Sequence, residues 1–150
     1  MNEIICKALT ASNFVARSEL DGIVRNDDKR PDGVTMTPWK RGRFLAWDAT
    51  IPDTLASSHV GNTGRTAGSA ATAAEAVKER KYSNLIQNFA FMPIAIETFG
   101  TYGPQARRFI QELGNHLKIS TGDALALWDL FVRESQWQCN EETLRLLWPR

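Results

Sequence analysis

Three polar side chains on three consecutive segments of the chain have the chemistry of a metal-dependent hydrolytic centre. Asp32 follows a proline at the start of a β-prone run, Asp48 lies within the next such run, and Lys78 lies on the helical segment that follows. Two close carboxylates suit Mg²⁺, which takes one or two carboxylate ligands and keeps several waters. An ammonium beside them can stabilise charge on a reacting phosphate. The pattern therefore favours phosphodiester hydrolysis with Mg²⁺ or Mn²⁺.

The strand predicted over residues 44–51 decides where the second carboxylate points. Because side chains alternate across a strand, Asp48 shares a face with Thr50 and lies opposite Trp47. A carboxylate inside a strand costs free energy unless a cation or hydrogen-bond donors compensate it. Taken singly, Asp32 also fits a loop acid in a turn, and Asp48 also fits a strand acid bonded to a helix N-terminus. Together with the lysine segment, the two acids favour a metal site.

The helix predicted over residues 71–86 carries the lysines. One stripe of this helix is apolar except at Lys78, so that ammonium is expected to face the sheet and a negative partner. Lys81 lies on the flank of the stripe, about 60° around a helix of 3.6 residues per turn. The alternative is a solvated helix face with local ion pairs. That face would comprise Glu75, Lys78, Glu79, Arg80 and Lys81.

Composition indicates one globular domain. The chain has 150 residues, of which 43% are hydrophobic and 23% are charged. We expect a core over residues 1–118 and a helical extension of the same domain over residues 119–150. Cys6 and Cys139 are too few for a zinc knuckle or a disulfide framework. No apolar run reaches the roughly 18 residues of a membrane span, and the N-terminus is not a secretory signal, so we expect an intracellular protein with no membrane partner.

Basic residues gather around the first two segments although the net charge is only +1. Such residues near a carboxylate pair suit contacts with the phosphate backbone of DNA. The alternative is a solvated loop face. The cluster comprises Arg25, Lys29, Arg30, Lys40, Arg41 and Arg43. From it we predict DNA contacts by Arg30, Lys40, Arg41 and Arg43.

The order of predicted elements is helix, three strands, helix, strand and further helices, which indicates an α/β (α+β) fold with a mixed sheet flanked by helices. The predicted strands are residues 14–20, 33–37, 44–51 and 91–98. A turn is predicted at residues 38–42, and Pro104 is placed as the first residue of a helix. Ser120 with Asp123 resembles a further helix start. The helix after Pro104 should bury Phe109, Ile110, Leu113 and Leu117.

The motifs resemble a known family of nucleases. The segments Arg30-Pro31-Asp32, Trp47-Asp48-Ala49-Thr50-Ile51-Pro52 and Lys78-x-x-Lys81-Tyr82 resemble the restriction-like endonuclease domain of non-LTR retrotransposons. That domain belongs to the PD-(D/E)XK superfamily and usually follows a reverse transcriptase. The segment from Pro93 to Gly100 also looks like segments of transposon-derived reading frames. The resemblance covers about residues 1–117 and implies an αβββαβ core.

This resemblance assigns roles to the residues. Asp32 and Asp48 match the metal ligands of the superfamily, and Glu19 matches an acid on the first strand of some relatives. The usual lysine two residues after the second acid is Thr50 here, so Lys78 or Lys81 takes that role. The implied function is metal-dependent nicking of DNA that primes reverse transcription, with DNA, a reverse transcriptase domain or element RNA as partners in the nucleus. The alternative is an inactive transposon-derived remnant that binds DNA or protein.

Overall fold

In the residues that the structure describes, the fold is a mixed four-stranded sheet with helices on both faces. The computed structural model describes residues 1–18, 30–57, 61 and 65–122. Its elements are α1 (Asn2–Ala11), β1 (Ala16–Ser18), β2 (Gly33–Lys40), β3 (Arg43–Thr50), α2 (Ser69–Lys81), β4 (Phe89–Ala95) and α3 (Pro104–Thr121). The predicted fold class and the αβββαβ order are confirmed.

The sheet has the strand order β1-β2-β3-β4. Strands β1, β2 and β3 pair antiparallel, whereas β3 and β4 pair parallel. A parallel pair requires a crossover connection, and α2 is the helix of that connection. This arrangement places α2 directly above β3 and β4, which is where a side chain of the helix can meet a side chain of β3.

The core lies on the face of the sheet that α1 and α3 cover. Leu45 and Trp47 of β3 are fully buried there. The helices contribute Ile4, Ile5, Ala8, Leu9, Ala106, Phe109, Ile110, Leu113 and Leu117 to the same cluster. The predicted buried stripe of α3 is confirmed, as is Pro104 as its first residue after the N-cap Gly103. The alternation of β3 therefore points its other face, with Asp48, toward α2.

Several predicted boundaries are wrong, and the hairpin shows why. Strand β2 continues through Pro38 to Lys40, and the turn consists of Arg41 and Gly42, which have φ of 50° and 74°. A turn with positive φ at both central residues matches the twist of the flanking strands. Pro38 is tolerated inside β2 because the register of β2 against β3 shifts on both sides of it.

The helix and strand ends also differ from the predictions. α2 begins at Ser69 and ends at Lys81, not at residue 86. β3 spans Arg43–Thr50, β4 spans Phe89–Ala95, and β1 spans Ala16–Ser18 within the described residues. α3 runs through Ser120 to a left-handed Gly122, so the helix start predicted at Ser120 is wrong. Glu19, Arg25, Lys29, Cys139 and the predicted helices after Gly122 lie outside the described residues.

Two buried glutamates fix the starts of α2 and α3. Glu97, just after β4, accepts hydrogen bonds at Oε1 from the backbone N–H groups of Ala70 (2.9 Å) and Ala71 (3.3 Å). Glu75 of α2 accepts from the N–H groups of Gln105 (3.0 Å) and Ala106 (2.9 Å) at the start of α3. Negative charge at a helix N-terminus also stabilises the helix through its dipole. Glu97 thus joins the sheet to the start of α2, and Glu75 joins α2 to the start of α3.

No helix in the described part of the chain is both long and apolar enough to cross a membrane.

Candidate active site

Asp48 and Lys78 form a largely buried ion pair between β3 and α2. Asp48 is 3% exposed, and the side chain of Lys78 is 22% exposed. Lys78 Nζ donates to Asp48 Oδ1 at 2.9 Å. The predicted orientation of Lys78 toward the sheet is confirmed. Separating the two side chains would leave each as an uncompensated buried charge. This cost keeps the Asp48 carboxylate and the Lys78 ammonium together.

Asp32 is held against the end of β3 through the backbone. Its Oδ2 accepts a hydrogen bond of 2.7 Å from the N–H of Ala49. Gly33, which pairs with Trp47 in the sheet, allows this approach because a Cβ there would overlap the Trp47 indole. Ala49 N is bonded directly to Asp48, so standard covalent dimensions keep the two carboxylates within about 8 Å of each other. The two acids therefore lie at one end of the β2–β3 hairpin.

Tyr82, which follows α2, completes the polar cluster. The residue is 1% exposed, and its hydroxyl donates to the carbonyl oxygen of Arg30 at 2.5 Å. Burial raises the pKa of Tyr82, and the neighbouring carboxylates of Asp48 and Asp32 raise it further. Asp48 is also within hydrogen-bonding reach of this hydroxyl. The Tyr82 hydroxyl has one proton to donate, however, and the short contact indicates that it donates this proton to the carbonyl oxygen of Arg30.

Asp32 borders an open cleft of about 320 Å³, whereas Asp48 is buried behind the strand end. The lining of the cleft comprises Met1, Asn2, Asp32, Ala49, Thr50 and Ile51. The volume is far larger than the roughly 30 Å³ share of one water in the liquid, so the cleft has room for a hydrated cation. The side-chain oxygen Oδ1 of Asn2 is buried here without a hydrogen-bond partner. Carboxylate oxygens, such as those of Asp32 in the cleft wall, are the hard donors that Mg²⁺ prefers.

Within the described residues, no group of three or more His, Cys, Asp and Glu side chains could hold a metal ion. A cation at this site would depend on Asp32, Asp48 and waters. That donor set excludes a structural zinc centre, which needs four protein ligands. It fits Mg²⁺, which takes few protein ligands and retains much of its water.

The predicted basic cluster is divided by the structure. Arg30 lies beside the site, whereas Lys40, Arg41 and Arg43 lie at the turn of the β2–β3 hairpin. Asp48 is five residues along β3 from Arg43, about 17 Å at 3.4 Å per residue. Two of the turn residues have partners within the protein. Lys40 pairs with Glu112 at 2.8 Å, and Arg43 donates to the carbonyl of Ile86 at 3.2 Å.

The two interpretations of the lysine helix each hold for part of it. Glu79, Arg80 and Lys81 are exposed, as the solvated-face interpretation requires. Lys81 Nζ lies 4.8 Å from the centre of the Tyr82 ring. The same interpretation is wrong for Glu75 and for Lys78, which turn inward to α3 and to Asp48. Sequence spacing identified Lys78, but it carried no signal for Glu75, whose partners are backbone groups of a later helix.

Comparison with known proteins assigns no family to this geometry. The sequence matches no protein-family model, and no curated protein is significantly similar to it. A functional assignment therefore depends on the motifs and on the arrangement of Asp32, Asp48 and Lys78.

Proposed function

We propose that this chain is a metal-dependent DNA endonuclease domain of the restriction-like, PD-(D/E)XK type, which nicks one strand of DNA. The observation that carries the proposal is the Lys78–Asp48 pair at 2.9 Å, with Asp32 anchored to the next backbone N–H along β3. An acid pair with an ammonium, beside an open cleft, is the arrangement that phosphodiester hydrolysis needs. In the non-LTR retrotransposons whose motifs this chain resembles, such a nick primes reverse transcription.

The residues have distinct tasks in this proposal. Asp32 and Asp48 would hold Mg²⁺ or Mn²⁺; when bound, the ion polarises the scissile phosphate and lowers the pKa of the attacking water. The contact with Ala49 uses one oxygen of Asp32, so its second oxygen can face a cation in the cleft that Asp32 borders. The contact with Lys78 uses Oδ1 of Asp48, so Oδ2 is the oxygen that would hold the ion. Lys78 compensates the charge of Asp48 before substrate binds. In the reaction its ammonium would orient the water or stabilise charge on the phosphorane.

DNA contacts would come from two separate places. Arg30 lies next to the acids, and the hairpin turn with Lys40, Arg41 and Arg43 lies about 17 Å away by the rise of a strand. Phosphates along one DNA strand are about 3.4 Å apart in axial rise, so the turn would contact the backbone about five nucleotides from the scissile bond. Such contacts position the duplex without reading its sequence. With a net charge of +1, we expect weak, non-specific binding.

A reverse transcriptase domain or element RNA would be a partner in a longer polyprotein, and a chromosomal DNA target would require a nuclear location. The competing function is a remnant that binds DNA or protein without cutting. One observation favours it: Thr50 occupies the position where the superfamily usually has its catalytic lysine. The proposal therefore requires that Lys78, which reaches Asp48 from α2, replaces that lysine.

A supercoiled-plasmid nicking assay with Mg²⁺, Mn²⁺ or EDTA tests the proposal. We expect nicking that requires the metal and falls below detection in Asp32→Asn and Asp48→Asn. Asp53→Asn is the matched control, since Asp53 is an exposed loop acid whose carboxylate accepts a hydrogen bond of 2.9 Å from the N–H of Leu55. Circular dichroism confirms that each variant is folded.

Equal nicking by the wild type and both site variants would place the catalytic centre elsewhere. Salt-sensitive DNA binding with no nicking in either metal would instead support the remnant.

A further inference from the structure

The hydroxyl of Tyr82 connects two parts of the site that are far apart in sequence. Its ring is buried at the end of α2 and packs on Phe91 of β4, with ring centres 4.9 Å apart. The hydroxyl reaches across to the carbonyl oxygen of Arg30 at 2.5 Å. One hydrogen bond therefore joins the helix that carries Lys78 to the segment that carries Asp32.

The segment from Arg30 to Asp32 is short and stiff. Pro31 lies between the two residues, and its ring fixes φ near −65°. Two hydrogen bonds hold the segment in the described structure, one at each end. The first is from Tyr82 to the Arg30 carbonyl, and the second is from the Ala49 N–H to Asp32 Oδ2. Sheet pairing of Gly33 with Trp47 fixes the backbone on one side of Asp32, and the Tyr82 bond fixes it on the other side, at Arg30.

The Tyr82 hydroxyl is well suited to anchoring the segment from Arg30 to Asp32 and poorly suited to donating a proton to a substrate. A phenol carries its proton at neutral pH, so the hydroxyl is a donor to the Arg30 carbonyl oxygen. The hydroxyl is committed to a backbone carbonyl, which leaves no proton for a substrate oxygen.

We propose that Tyr82 is a positioning residue that sets the divalent-cation affinity of the site by fixing Asp32 relative to Asp48. This inference rests on the proposed function, and it adds a residue that acts through the metal ligands without touching the reacting phosphate. Partners that orient metal ligands typically contribute about 10- to 100-fold in metal affinity. Loss of the hydroxyl should weaken cation binding by that factor while the limiting rate at saturating cation changes much less.

Tyr82→Phe is the direct test, because it keeps the ring on Phe91 and removes only the hydroxyl. The measurements are the Mg²⁺ concentration for half-maximal nicking, the limiting nicking rate, and Mn²⁺ binding to the DNA-free chain by calorimetry. Tyr102→Phe is the matched control. Tyr102 is the other tyrosine of the chain and is buried in the core with α3, on the opposite face of the sheet from Lys78. We expect weaker cation binding, about 10- to 100-fold, in Tyr82→Phe alone.

Pro31→Ala provides a second test. It loosens the same segment at a different residue, so its effect on cation affinity should not add to that of Tyr82→Phe if both act through Asp32. Additive effects would overturn the inference, as would a Tyr82→Phe protein with a lower melting temperature and unchanged Mn²⁺ affinity. If the wild-type protein binds Mn²⁺ but does not nick DNA, only the endonuclease proposal is overturned. If it binds no divalent cation, the endonuclease proposal and the role of Tyr82 are both overturned.

Discussion

Two pairs of buried or partly buried acids in this protein are treated differently by their surroundings. Glu75 and Glu97 each accept hydrogen bonds from two backbone N–H groups at a helix start, and both are at most 2% exposed. Asp48 is matched by one side-chain ammonium, and Asp32 by one backbone N–H at the border of a cleft. The glutamates are enclosed by fixed main-chain donors, whereas Asp48 pairs with a side chain and Asp32 borders an open cleft.

The difference separates a structural acid from a candidate catalytic one. Main-chain donors at a helix N-terminus cannot move without moving the helix, so they hold a carboxylate permanently. A lysine side chain can swing between a carboxylate and a phosphate. The structural pair also serves the other, because Glu97 fixes the start of α2 and thereby the position of Lys78 over Asp48.

The largest expected effect concerns the lysines. Lys78→Ala should lower the single-turnover nicking rate by about 10²- to 10³-fold, the usual cost of losing a transition-state donor. Lys81→Ala should lose less, because Lys81 is exposed over the Tyr82 ring and can act only through phosphate contact. Rates of both variants at saturating Mg²⁺ measure this, with melting curves as a folding control. A greater loss for Lys81→Ala would assign the catalytic role to Lys81.

The next effect is a loss of folding stability at a residue outside the catalytic site. Glu97→Ala leaves the Ala70 and Ala71 N–H groups without their acceptor, so the free energy of unfolding should fall by about 1–3 kcal/mol. Glu97→Gln should lose less, because both N–H groups bind Oε1 and an amide retains one such oxygen. Urea titrations measure both. Nicking by the folded fraction should fall far less than in Lys78→Ala, because Glu97 acts only through the start of α2. A loss as large as that of Lys78→Ala at full stability would place Glu97 among the functional acids.

The smallest expected effect is a pH dependence. Burial raises the pKa of Glu75, against the opposing effect of the Ala106 and Gln105 N–H groups. The folded state then binds the proton more tightly than the unfolded chain, where the pKa is about 4.3. Its contribution to stability is therefore complete below that pH and is lost as pH rises through the folded-state pKa.

Glu75→Gln removes this titration. The variant should be less stable than the wild type, because one of its two N–H partners faces an amide NH₂, but the difference should narrow as pH increases from about 4 toward neutral. Urea unfolding of both proteins across that range measures the difference. A difference that widens with pH would mean that the carboxylate is stabilised in its charged form.

Several features of the fold could be predicted because they follow from local periodicity. Alternation along β3 placed Asp48 opposite Trp47, and helical spacing directed Lys78 toward the sheet. Pro38 shows the limit of this reasoning. Its residue type predicts a turn, whereas a register shift keeps it inside β2. Local preference was outweighed there by pairing with β3, which depends on a distant part of the chain.

The sequence by itself determined which residues share a face of each element, since a period of 2 or 3.6 residues is a property of the backbone alone. Only the tertiary structure decided which faces meet. Glu75 looked like part of a solvated face until α3 placed two N–H groups beside it, and Tyr82 gained its contact with Arg30 only across the packed molecule. Partners of this kind are separated by 30 to 52 residues, and no local pattern encodes such a contact. The polar contacts of the site are therefore set by how the sheet and helices pack.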